Sequence, residues 1–82
     1  STTSTDTSRS AWASDVGALT PRQREVLLLI ARGLSNTEIE VELGITRATC
    51  RSHITALLAR LGARDRAQLV IAAYEAGLIS PR

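Results

Sequence analysis

Residues Thr46–Leu61, TRATCRSHITALLARL, decide the fold. At 3.6 residues per turn, Cys50, Ile54, Leu57, Leu58 and Leu61 recur at i, i+4, i+7, i+8 and i+11 and fall on one narrow apolar stripe. One side of this helix is core. Ser52, Ala56 and Ala59 point away from it, with Ala48, Arg51 and Thr55 on one shoulder and Thr49, His53 and Arg60 on the other. A helix that merely faces solvent mixes both charge signs, whereas this outward face is short, small and basic, with no carboxylate. It is suited to a close approach to an anion.

The rest of the chain reads as a frame for that helix. Eighty-two residues make one domain, at the small end of what folds without staples once the first part is set aside as a tail. The expected class is all-α, with three or four short helices around one core. One cysteine excludes an intrachain disulfide, and with one histidine it cannot complete a four-ligand zinc site, so neither metal nor cofactor is expected. No apolar run approaches the ~20 residues of a membrane span, and nothing resembles a signal peptide, so a cytoplasmic location is expected. A single Cys three residues from a single His offers no nucleophile–base pair, and a bundle this small encloses no substrate pocket. An enzyme is not expected.

The net charge is only +2, and all ten basic residues are arginine. Its distribution is more informative. Gly44 to Arg66 carries five arginines against one acid, a balance of +4, while Ser35 to Leu43 carries three glutamates and no base, a balance of −3. Sorting of charge by element is expected when one element meets a polyanion and its neighbour does not.

Residues 1–18, STTSTDTSRSAWASDVGA, hold Trp12 and Val16 as their only large apolar side chains. Such a composition cannot offset the entropy of ordering and reads as a flexible linker or disordered tail, with the boundary drawn so that 1–16 is tail and 17–80 is domain. The chain lacks an initiator Met, as a fragment of something longer would. Thr20, Pro21 and Gln23 form a capping box with proline at the first helical position, predicting a helix from Pro21 to Arg32 stopped by Gly33. Val26, Leu27, Ile30 and Ala31 are its inward residues, and Arg22, Arg24 and Arg32 its solvated face. Ser35 and Glu38 repeat the device for a helix from Asn36 to Leu43, with Ile39 and Leu43 inward. Gly44 ends it, and Thr46 caps the helix beginning at Arg47.

Two short helices joined through a glycine and one apolar residue are the helix-turn-helix signature. Gly62 stops the third helix, and Asp65 with Gln68 opens a fourth, Arg66 to Ala76, ended by Gly77. That helix is apolar on more than one face. Ala67, Val70, Ile71 and Tyr74 are taken as core, which leaves Leu69, Ala72, Ala73 and Ala76 as a second apolar face for another copy of the chain. Packing against the linker or against Leu78 and Ile79 is the alternative.

From Leu19 to Ile79 the chain resembles the LuxR-type helix-turn-helix domain, the DNA-binding output module of the FixJ and NarL response regulators. LTPRQREVLLLIARGLSNTEI at the front, LGIT at the turn, T-C-R-S-H in the third helix and ARLGARDRAQLV before the fourth carry the likeness. The resemblance implies a four-helix, wingless DNA-binding domain, dimeric through its last helix and reading an inverted repeat in promoter DNA. It further implies a linker to an N-terminal regulatory domain, most often a phosphorylatable receiver, and a working context with RNA polymerase. The motif proper would span 36–55. By similarity, base edges would be met by Arg51, Ser52 and Thr55, and phosphates by Thr37, Thr46, Arg47, Thr49, His53 and Arg60. Ala48 completes the expected contact set.

Three positions depart from the family pattern. Cys50 stands where valine is usual and reads as a packed thiol rather than a redox sensor. Glu40 stands where a small alanine is favoured, and Val41 where a base is common. Glu40 should therefore either pair with an arginine such as Arg47 or Arg51, or alter the angle between the second and third helices. His53 reads as a flank donor to a phosphate or carbonyl rather than a titrating switch. The competing functional reading is a helix-turn-helix module repurposed for protein–protein interaction through the acidic second helix, with weak or no DNA binding.

Overall fold

The helix starts are set by side chains three residues apart. Thr20 Oγ1 accepts from the Gln23 N–H at 3.1 Å while Gln23 Oε1 accepts from the Thr20 N–H at 3.1 Å. Ser35 and Glu38 reciprocate at 3.2 and 2.7 Å. Each box satisfies two amide donors that the first turn of a helix leaves without partners. The computed structural model of the chain describes residues 14–79. Its helices are α1 (Pro21–Ala31), α2 (Asn36–Leu43), α3 (Arg47–Leu61) and α4 (Arg66–Glu75), preceded by a helical turn at 14–17.

The third box forms only in half. Asp65 accepts from the Gln68 N–H at 3.1 Å, but Gln68 Oε1 turns back to the N–H of Arg64 at 2.8 Å. Gly44 (φ 65°) and Gly62 (φ 63°) end α2 and α3 in the left-handed region, where a Cβ is penalised and glycine is not. Three residues, Gly44, Ile45 and Thr46, therefore suffice to turn α2 into α3.

Among the described residues the core is apolar throughout: Val26, Leu27, Ile30 and Ala31 from α1, Ile39 from α2, Cys50, Leu57 and Leu61 from α3, and Leu69, Ala72 and Ala73 from α4. Full burial of one such large side chain stabilises by about 1.5–3 kcal/mol. α1 packs on both α3 and α4, and α3 lies between α2 and α4. The inward faces expected for α1, α2 and α3 are those observed, with Leu43, Ile54 and Leu58 half-buried at their edges.

Two expectations are corrected. On α4 the inward face is Leu69, Ala72 and Ala73, all fully buried, with Ala76 half-buried, so these four residues are not a surface for a second copy. Ile71 and Tyr74, expected inside, are 48% and 39% exposed. The helix lacks the polar face that would fix its phase, and bulk was the wrong guide, because alanines at i+3 and i+4 let two helices lie close. The second correction concerns the stretch read as tail. Residues 14–17 are helical, and Val16 and Leu19 enter the core at 5% and 3% exposure. One apolar residue per turn, invisible as a pattern, is enough when a waiting core receives it. Trp12 and the rest of the Ser/Thr-rich stretch lie outside the described residues, as does residue 80.

Candidate nucleic-acid interface

The geometry of α3 begins at its cap. Thr46 Oγ1 accepts from the Thr49 N–H at 3.2 Å and donates to Thr49 Oγ1 at 3.0 Å. The Thr46 hydroxyl is thereby spent within the protein, while that of Thr49 keeps its hydrogen for an outside acceptor. The first N–H groups of the helix, on Arg47 and Ala48, have no partner one turn earlier and carry the positive end of the helix dipole. Arg47, Ala48 and Thr49 are all exposed there, as is Thr37 on the first turn of α2.

Further along, Ala48, Arg51, Ser52, Thr55, Ala56 and Ala59 line an open trough of about 530 Å³ on the outward side of α3. The spacing is i, i+3, i+4, i+7, i+8, i+11, one continuous strip of a helix. Only Arg51 rises from it; the other five side chains carry at most three heavy atoms. Such a floor admits the helix backbone close to an opposing surface, and Arg51 supplies a bidentate fork matching guanine O6 and N7. Ala56 and Ala59 belong to the strip but were absent from the expected contact set; their outward place on the wheel was the signal. His53 is half-buried on the opposite shoulder.

Behind α3 lie a buried thiol and, at the α1–α2 corner, an arginine. Cys50 is fully buried, its Sγ pointing to the Asn36 carbonyl at 4.0 Å. Burial raises the thiol pKa, the Glu40 carboxylate raises it further, and Arg66 opposes them. The group is a neutral packing element. Arg66 donates to Oδ1 of Asn36 and to the carbonyl oxygen of Leu34, tying the start of α4 to the start of α2. Sequence reasoning assigned Arg66 no role. A cation at the first position of a helix opposes the helix dipole, and that misfit was the available sign of a tertiary partner.

Glu40 is half-buried, and among the described residues it forms no ion pair with Arg47 or Arg51. Arg60, expected at a phosphate, is exposed and donates through Nη2 to the carbonyl of Ala18 at 3.2 Å. Arg24, read as part of a solvated face, donates to the carbonyls of Gly17 and Leu19 at 3.2 and 3.3 Å.

A family profile described as bacterial regulatory proteins, luxR family, matches residues 17–73. The chain belongs to the luxR family. It is 46% identical over 61 residues to response regulator protein VraR of Staphylococcus aureus (strain NCTC 8325 / PS 47), and equally to the proteins of that name from Staphylococcus saprophyticus subsp. saprophyticus and Staphylococcus epidermidis. These matches cover 74% of this chain and 29% of each relative. The chain therefore spans less than a third of the length of these luxR-family relatives.

Proposed function

We propose that this luxR-family chain is the DNA-binding output domain of a bacterial transcription regulator, acting in the cytoplasm as part of a two-component response regulator. The observation that carries the reading is the outward strip of α3, small-floored with Arg51 rising from it. Laid in a major groove, it brings Arg51, Ser52, Thr55 and Ala48 to base edges. Arg47, Thr49, His53, Thr37 and Arg60 then flank the two strands as phosphate contacts, which fix register without reading sequence. The Thr46 hydroxyl acts indirectly, by capping the helix.

Pairing of two copies on an inverted repeat would use the exposed side of α4, where Ile71 and Tyr74 stand one turn apart beside Ala67. A receiver-type regulatory domain on the N-terminal side and contact with RNA polymerase complete the proposed setting, and the name of the VraR relatives supports the first of these.

The test is selection from random duplexes, followed by anisotropy titration of the selected site across a salt series. A reader with several phosphate contacts should show log K falling linearly with log salt, by about 0.9 per contact. Absence of any salt-dependent, sequence-selective binding would overturn the proposal.

A further inference from the structure

Two arginines from different helices converge on the segment that leads into α1. Arg24 of α1 holds the carbonyls of Gly17 and Leu19, and Arg60, in the last turn of α3, holds that of Ala18. The segment also closes on itself, with the Ala18 N–H donating to Ser14 and the Leu19 N–H to Val16, at 3.1 and 3.2 Å. Val16 and Leu19 anchor it in the core. The chain entering the domain is thus fastened directly to the helix that carries the candidate interface.

Arg60 occupies both sides of this relationship. One N–H of its guanidinium is committed to Ala18, and the fork has four more. The side chain is exposed and shares the shoulder of α3 with Thr49 and His53. A free arginine surrenders rotamer freedom when it grips a phosphate; one already held on a carbonyl has surrendered it beforehand.

We propose that segment 14–19 is a positioning element of the interface, in which the Ala18 carbonyl presets Arg60 for a duplex phosphate and so links docking of the segment to contact with the DNA backbone. The linkage rests on the DNA-binding reading given above. Because coupling is reciprocal, DNA that engages Arg60 must also tighten the segment, and loosening the segment must weaken the backbone contact. Displacement of the segment from its N-terminal side would then be felt at the duplex without any change in the base-reading strip.

The experiment uses the whole 82-residue chain and its selected duplex, with salt-dependent titration and amide hydrogen exchange read together. On binding, exchange of the Ala18 and Leu19 amides should slow by about five-fold or more, the lower end of ordinary coupling. Arg60→Ala should lower the salt slope by about one contact and abolish the added protection. Arg24→Ala and Val16→Ala, neither of which alters a residue of the interface, should lower the affinity at fixed salt by about five-fold or more while the slope stays that of the wild type, and neither should lower the affinity further when combined with Arg60→Ala. A wild-type protein whose segment exchanges faster on DNA would show competition for Arg60 and overturn the linkage. So would an unchanged affinity in Arg24→Ala, which alters no core residue. Failure of the wild type to bind any duplex would instead remove the DNA-binding reading itself.

Discussion

Arg66, the first residue of α4, donates through Nη1 to Oδ1 of Asn36, the first residue of α2, at 2.5 Å. Thirty residues of chain separate the two. With the second bond, to the carbonyl of Leu34, one guanidinium pins the α1–α2 corner against the start of α4. Hydrogen bonds to a charged donor are among the stronger ones in proteins, and truncating the donor removes the partner of the part-buried Leu34 carbonyl and leaves the exposed Asn36 amide to water.

Arg66→Ala should therefore destabilise the domain by about 1–3 kcal/mol. Urea melts check this: the midpoint falls while the m-value stays constant. A loss below about 0.5 kcal/mol, the range of an ordinary surface substitution, would show that the corner holds without the arginine.

Arg51→Ala should cost about 1–3 kcal/mol of discrimination at one base pair, because the only long side chain on the strip is removed. Titrations against duplexes altered at single positions should show one position becoming indifferent while preferences elsewhere persist. Uniform weakening at every sequence would move Arg51 to the phosphates.

The two faces of α4 give opposite expectations. Leu69→Ala, in the core, should cost about 2–5 kcal/mol of folding stability. Tyr74→Glu and Ile71→Glu, on the exposed side, should leave the melting curve within about 0.5 kcal/mol of the parent. The latter pair should instead reduce cooperative binding of two copies to an inverted repeat, as seen by sedimentation of the complex. Unaltered pairing in both variants would place the contact between copies elsewhere.

Cys50 should resist alkylation in the folded protein at pH 8 and react on addition of denaturant, since its thiol is buried and its pKa raised. The folded state favours the neutral thiol. The stability this contributes is complete below the ordinary thiol pKa of about 8.5 and is lost as pH rises from there towards the raised folded value. Urea melts at pH 8 and pH 10 should record the decline in the parent. Cys50→Val, a change of similar volume costing less than about 1.5 kcal/mol, should show a smaller decline over the same interval. Equal declines would mean the thiol does not contribute.

Features encoded over three or four residues were legible in the sequence. The Thr20–Gln23 and Ser35–Glu38 boxes, the glycine stops and the inward faces of α1 to α3 each follow from spacings shorter than one helical turn or from a single clear stripe. So does the strip on α3. The phase of α4 was not legible, because amphipathicity cannot orient a helix that is apolar most of the way round. Nor were the arginine partners. Arg66 reaches back 30 and 32 residues and Arg60 reaches back 42, and no local pattern announces a bond of that span. The burial of Val16 was concealed for the same reason: its neighbours in sequence are mostly small or polar and form no stripe, and its neighbours in space come from elsewhere in the chain.

Among the described residues, no buried side chain is polar or charged. Hydrocarbon is undiscriminating about its company, so an interior of this kind tolerates exchange of one aliphatic for another while total volume is kept. Directional side-chain bonds sit instead in the helix caps, on Arg66, and on Arg24 and Arg60 where they hold the carbonyls of Gly17, Ala18 and Leu19. Lineages descended from this sequence should accordingly exchange one aliphatic for another of like volume inside while keeping the corner residues.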